Sequence, residues 1–423
     1  MSIGSEEEKI CVILPSMLLQ FVRKNYIESP VEFVERKGLG HPDTLSDSLA
    51  EYLSVEYSLY TKDRFGAILH HNFDKIGLLG GSSYVKFGMG YLINPIRVLL
   101  NGRASTRFGN ELIPVEKLLI KWSKEFLASK LPQINVNKDL EFHYNLSNKS
   151  SPGKTDLQEA SYGTRKYWFE PRSLDDLQEL KHLVSNDTSL GVGFAPLSQL
   201  EKFILEIENT LNSEDTRRNN PWIGSDIKVM GFRNQKDYHI TLCIPQIAKY
   251  VGSMSDYKKN LIYSEKLIRG IAKKYSMDSF ELSINTRDNF GNGEIYLTAT
   301  GSSIESGDEG LVGRGNRING IIAPFRIMSM EGVCGKNPVY HIGKIYYLAA
   351  NEMAKKIYDN FGISNEVCIV SQSGRSLTDP WILLVTIPQG FDNIAGLESL
   401  IKLEVLNIPN LTEALLKQQF TLC

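Results

Sequence analysis

Apolar side chains recur every four residues at Leu45, Leu49, Leu53 and Tyr57, which predicts a helix over residues 44–60 with Asp43 as its N-cap. The same period predicts helices over 196–211, 259–275 and 341–358. The last of these turns Ile345, Leu348, Met353 and Ile357 inward and meets a stop signal at Gly362. Apolar and β-branched runs predict strands over 10–14, 67–79, 93–100, 227–230, 238–244 and 294–299. Pro95 marks the third of these as an edge strand or a strand start, and Asn234-Gln235-Lys236 is a polar turn between the fourth and fifth. The elements mix without a strand–helix–strand rhythm, so the expected class is α+β rather than a doubly wound sheet. Two stretches break the pattern: a polar loop over 145–155 and an aromatic, basic segment over 162–172. Their composition fits a mobile lid and a surface insertion equally.

The chain has 423 residues, 42% hydrophobic and 23% charged, enough for two or three domains with cores of their own. Lys and Arg number 47 against 49 for Asp and Glu, a net charge of -2. Such a balance gives no overall attraction to nucleic acid or to an anionic membrane. The five cysteines are scattered and lack CxxC spacing, which argues against a disulfide framework and a zinc site and for reduced thiols in a cytoplasmic protein. The apolar run 11–21 is too short to span a bilayer and follows Glu6, Glu7 and Glu8 rather than a basic region, so no export is expected.

Charge for binding an anion must therefore be local, and residues 307–344 concentrate it. Arg314, Arg317, Arg326, Lys336 and Lys344 stand among Gly307, Gly310, Gly313, Gly315 and Gly335. Cations mixed with glycines that open the backbone N–H groups suit a polyanion, although a solvated loop with turn glycines has related composition. GLGHPD at 38–43 puts His41 and Asp43 at a helix entrance, where an anion is favoured and a metal can bridge carboxylate to phosphate; a turn histidine beside an N-cap is the plainer reading. SDIKV at 225–229 puts Asp226 and Lys228 on one strand face, which suits a metal and a phosphate and equally an ordinary solvated face. Asp187 precedes a Gly-x-Gly stretch, a weak signal, and Asp308 in DEG suits magnesium or a plain turn. His70 and His71, being adjacent on a strand, point to opposite faces and are no metal pair. The chain has no GxxxxGK[ST] loop, kinase signature or GxSxG elbow.

Taken in order, ERKGLGHPD, FGAILHHNFD, NDTSLGVGFAPLS, SDIKVMGFR, GDEGLVGRGNRINGIIAPFR, SMEGVCGKNPVYHIGKIY and VSQSGRSL resemble the archaeal-type S-adenosylmethionine synthases, or methionine adenosyltransferases. The resemblance runs from Glu32 to the C-terminus. It implies three interleaved α+β domains in a pseudo-threefold arrangement, approximately 31–140, 141–290 and 291–423 after an N-terminal extension of 1–30. It also implies a homodimer with sites at the subunit interface, and magnesium with potassium as cofactors. The implied reaction is attack of a methionine thioether on C5′ of ATP, expelling triphosphate that is then cleaved to phosphate and diphosphate. By similarity, His41 acts on the departing phosphate, Asp43 and Asp308 hold magnesium, and Lys228, Arg314 and Lys336 clamp the triphosphate. Glu35, Asp187, Asp226 and Arg317 are further ATP or substrate contacts.

The chain departs from the family pattern mainly on the acceptor side. The loop over 151–157 keeps Asp156 but lacks the family's glutamine; Phe73, Met89 and Tyr340 replace smaller residues; and 162–172 is longer. Larger side chains in a tight polar pocket change its shape, so Tyr340 and Asp156 count as acceptor contacts. The alternatives are a related transfer to another sulfur or nitrogen nucleophile and a non-catalytic nucleotide-binding homologue.

Overall fold

Strand alternation sorts the described residues into three larger sheets, each with one face against helices, beside three two-stranded ribbons. The computed structural model describes residues 9–13, 17–25, 29–149, 166–277 and 279–423. The first sheet runs in the order Lys9–Ile13, Leu18–Lys24, Ile382–Pro388, Asn365–Val370 and Leu190–Ala195. Among the described residues its one parallel pair joins Leu18–Lys24 to Ile382–Pro388, so early and late segments of the chain share a sheet. Helices Ile342–Phe361 and Ile394–Asn407 close its core, where Ile345, Leu348, Met353 and Ile357 are buried as the periodicity predicts. Gly362, at φ 66°, ends the first of these helices.

The second sheet pairs Leu140–Ser147, Ile96–Ala104, Gly77–Leu79 and Gly310–Leu311, with His71–Asn72 also on Ile96–Ala104. It packs on the long helix Pro42–Phe65 and on Val115–Lys130. The third sheet runs Glu281–Ile284, Asp237–Cys243, Lys228–Asn234 and Val31–Lys37 under helices Gln199–Leu211 and Met254–Ala272. Each sheet draws strands from distant parts of the sequence, and the class is α+β.

Several predicted elements change shape. The expected strand over 67–79 breaks in two because the Phe73 N–H leaves the sheet to bond the Gly335 carbonyl at 2.7 Å. That over 294–299 shrinks to Leu297–Thr298, since flanking donors are taken outside a ladder: Glu294 N–H by the Asn289 carbonyl, Tyr296 N–H by Asp288, and the N–H groups of Ala299 and neighbouring Thr300 by Glu305. Residues 93–100 divide at Pro95 between Met89–Asn94 and Ile96–Ala104. The N-cap of the long helix is His41 instead of Asp43. Its imidazole Nδ1 accepts from the Asp43 N–H at 3.2 Å, leaving the Asp43 carboxylate for other partners.

Candidate active site

The GLGHPD turn and the SDIKV segment meet because glycine permits it. Gly40 N–H donates to the Ser225 carbonyl at 2.9 Å, and a Cβ on Gly40 would lie 2.1 Å from Ser225 Oγ. This approach sets His41, at the positive end of the long helix, beside Asp226 and Lys228. Burial lowers the His41 pKa, and Lys37 and Lys228 push the same way against Asp226 and Asp43. The ring is therefore neutral near pH 7. Because Nδ1 accepts a backbone hydrogen bond, its proton resides on Nε2, which is left as a donor.

Asp226 is buried and accepts from Ser303 N–H at 2.8 Å, and burial raises its pKa. The Ser303 hydroxyl lies 2.5 Å from Asp226 and 3.0 Å from the exposed Asp308. One hydroxyl proton can serve only one of these carboxylates, so the pair holds surplus negative charge. A hard cation completed by phosphate oxygens fits that pair, since magnesium is commonly held by one or two carboxylates plus substrate phosphates. Asp43, expected as a metal ligand, has both oxygens engaged: Lys37 Nζ lies 2.9 Å from one, and the other accepts from Leu311 N–H at 3.1 Å. Glu35 pairs with Lys228 at 3.3 Å.

The loop 307–315 is fastened over this helix end. A Cβ on Gly310 would stand 1.9 Å from the Pro42 carbonyl oxygen, so the loop rests directly on the first helical turn. Asp47, one turn on, accepts from Gly313 N–H at 2.8 Å and Gly315 N–H at 3.2 Å, and burial pushes its pKa up to about 7. Asp47→Ala should leave both amides without their acceptor. Hydrogen exchange at Gly313 and Gly315 should then quicken about tenfold, the loss of a hydrogen bond worth ~1.5 kcal/mol; unchanged exchange would show that the loop is held by something else.

The five cations of the basic stretch divide sharply. Arg317 donates to the carbonyls of Gly313 and Gly315, both at 2.7 Å, so it braces the loop instead of facing an anion. Arg326 is paired with Glu201, and fully buried Lys344 with Glu51 at 2.7 Å, so neither is free for a ligand. Lys336 is buried and also pairs with Glu331, but that carboxylate is 30% exposed, more than the partners of Arg326 and Lys344, so it can yield to a phosphate; burial pushes the Lys336 pKa down to about 8. Arg314 alone of the five is exposed, and its guanidinium has no ion pair among the described residues. Lys37 was not singled out by sequence reasoning, although it lies within the ERKGLGHPD block; its ammonium joins Asp43 to the Arg314 carbonyl, the latter at 2.8 Å.

Lys336 belongs to a second group. Ser54 of the long helix donates to the Lys336 carbonyl at 3.0 Å and contacts His71 Nε2 at 2.8 Å. Burial lowers the His71 pKa to about 3, so this ring is a neutral core group. Ser54 stands thirteen residues beyond His41, about 20 Å along the axis at a rise of about 1.5 Å per residue. His41, Asp226, Lys228, Asp308 and Arg314 thus cluster at one end of that span, and Lys336 lies at the other. Exposed Asp187 influences Lys336, and Tyr340 packs against His70 with ring centroids 4.7 Å apart. Two expected acceptor-side residues lie elsewhere: Phe73 is a core residue edge-on to Tyr57, and Met89 is exposed on a hairpin. Asp156 and residues 151–157 lie outside the described residues.

Comparison with known proteins shows which family shares this sequence and fold. A family model described as S-adenosylmethionine synthetase (AdoMet synthetase) matches residues 17–419. The S-adenosylmethionine synthase of Methanocaldococcus jannaschii is 41% identical over 369 residues, covering 85% of this chain and 86% of that one. That of Methanococcus vannielii is 39% identical over 407 residues, covering 93% and 96%. The probable S-adenosylmethionine synthase of Aquifex aeolicus is 40% identical over 362 residues, covering 85% and 86%. Among solved structures, an unusual S-adenosylmethionine synthetase from Campylobacter jejuni is similar with a TM-score of 0.55 over 90% of both chains; at 13% identity this is a likeness of fold.

Proposed function

The chain belongs to the S-adenosylmethionine synthetase family, and from that membership we propose that it is a methionine adenosyltransferase, forming S-adenosylmethionine from ATP and methionine. The thioether sulfur attacks C5′ as the C5′–O bond breaks. A sulfonium forms and triphosphate leaves, to be hydrolysed to phosphate and diphosphate. Neutral sulfur needs no general base, so the demand falls on positioning and on the negative charge that grows on the leaving oxygen. The observation that carries the reading is His41, whose Nε2–H is free to donate at a helix N-terminus beside Lys228. Lys228 and Arg314 hold phosphate oxygens from the same end. Asp226 and Asp308 would hold magnesium, which would neutralise part of the triphosphate charge. Incubation with ATP, methionine and magnesium should give S-adenosylmethionine by mass; its absence at saturating substrate would sink the assignment.

Two copies of the chain complete each site in this reading. Lys336 is too far along the long helix for one triphosphate to touch both it and His41, so the Lys336 end faces the His41 end of a second copy. No helix among the described residues is long and apolar enough to cross a membrane, and Cys243, Cys334, Cys368 and Cys423 are free thiols, which suits a cytoplasmic enzyme.

Lys336 also sets a pH limit. With its pKa lowered to about 8, the ammonium is charged below that pH and neutral above it. The value of kcat/KM for ATP should fall as pH rises through about 8, and Lys336→Arg should remove that fall because guanidinium stays protonated. A wild-type profile flat to pH 10 would contradict this role.

A further inference from the structure

The turn 299–303 lies behind the candidate site and touches both of its motifs. The Ser302 hydroxyl donates to the Gly40 carbonyl at 2.6 Å, one residue before His41. On the other side, the Gly301 carbonyl accepts from the Asp226 N–H at 3.0 Å. Ser303 then presents its N–H and hydroxyl to the Asp226 carboxylate, and the same hydroxyl lies against Asp308. The seat of this turn therefore sets where the two carboxylates stand relative to each other and to His41.

One side chain holds the turn in place. Glu305 is 1% exposed, and its carboxylate accepts four hydrogen bonds, two on each oxygen. One oxygen takes the Ala299 N–H at 2.6 Å and the Ser83 hydroxyl at 3.0 Å; the other takes the Thr300 N–H at 2.5 Å and the Thr300 hydroxyl at 2.6 Å. None of these donors is a cation. Burying a carboxylate without a counter-ion is unfavourable, and a full set of donors to the ionised form is what offsets it. An ordinary turn closes on one backbone hydrogen bond, so this one carries more restraint than closure requires. All four partners lie in the turn or in the strand Ser82–Lys86, which leaves Glu305 to act on the site through the turn alone.

We propose that Glu305 is a positioning residue for the divalent-cation site: by fixing the turn it holds Ser303 between Asp226 and Asp308 and keeps that pair together. The assignment rests on the adenosyl-transfer reading above and adds a residue that touches neither substrate nor cation. Glutamine at 305 keeps the shape of the side chain but turns one acceptor oxygen into an amide donor. On either side that amide meets a backbone N–H, which cannot accept. The N–H of Ala299 or of Thr300 must then swing away, and Ser303 moves with the turn. Groups that stand behind metal ligands commonly change metal affinity about 10- to 100-fold when altered.

Manganese(II) shares magnesium's preference for oxygen ligands and is visible by electron paramagnetic resonance, so its titration onto the protein with a non-hydrolysable ATP analogue tests this. Glu305→Gln should weaken manganese binding at least about tenfold, and the magnesium concentration that gives half-maximal turnover should rise in step. Thr300→Val removes one hydroxyl donor and should weaken binding about threefold, which decides the matter if Glu305→Gln fails to fold. Ser303→Ala should weaken binding as well. Its loss and that of Glu305→Gln should not multiply in the double variant, because both act through the same hydroxyl. A purely structural Glu305 would lower the melting temperature and leave the manganese affinity of the folded protein unchanged; that result, or losses that multiply in full, would overturn the proposal. If the wild-type protein yields no S-adenosylmethionine, the proposed activity fails separately. The same titration still decides the role of Glu305: manganese binding weakened by Glu305→Gln supports it, and no binding by wild type overturns it.

Discussion

Replacing His41 with alanine should lower kcat about 10²- to 10⁴-fold while moving the KM for ATP by no more than about threefold. The asymmetry follows from when the interaction matters. In the proposed ground state Lys228 and Arg314 would hold the triphosphate through several oxygens, so one neutral imidazole would add little. Charge builds on the oxygen departing from C5′ only as the bond breaks, and a donor aimed there acts mainly in the transition state. The Nε2–H is available because the Asp43 N–H fixes Nδ1 as an acceptor. His41→Asn offers a control, since its side chain also caps helices and can donate through its amide. It should recover part of the lost turnover. Equal losses in kcat and in ATP affinity for His41→Ala would assign the residue to ground-state binding.

The elements with a strong period were legible in the sequence. Helix 341–358 and its Gly362 stop are observed as Ile342–Phe361, because both signals are local. Helix 196–211 begins later, at Gln199, since Ser198 and Glu201 form a capping box that fixes its start. The strand over 294–299 was misjudged because side chains of Asp288 and Glu305, not a neighbouring strand, satisfy its backbone. No periodicity reports that.

The candidate site was legible as a set of motifs but not as an arrangement. Arg314, Arg317, Arg326 and Lys344 look alike in the sequence as cations among glycines. What separates them is whether a carbonyl or carboxylate already holds the charge, and those partners come from distant segments: Glu201 for Arg326 and Glu51 for Lys344. The ion pair of Asp43 is hidden for a related reason, since it depends on how Lys37 of the neighbouring strand is turned. The departures at Phe73, Met89 and Tyr340 also looked equivalent, yet one fills a core, one lies on a surface hairpin and one walls a cavity. The division of the cations between two stations on one helix depends wholly on tertiary packing.

Lys336→Met should lower kcat/KM by about 10²- to 10³-fold, the scale of losing one preorganised charge from a leaving-group clamp. Methionine keeps the unbranched bulk of the buried side chain, and Glu331, left behind, retains access to water, so the fold should survive. The direct measurement is to unfold and refold inactive His41→Ala and Lys336→Met proteins together and assay S-adenosylmethionine formation. If each site takes His41 from one copy and Lys336 from the other, a mixed dimer has one doubly damaged site and one intact site. With random pairing, half of the dimers are mixed and half of their sites are intact, so about a quarter of wild-type activity should return. If the mixture stays as inactive as the two variants refolded separately, His41 and Lys336 do not meet across two copies, and the proposed shared site is wrong.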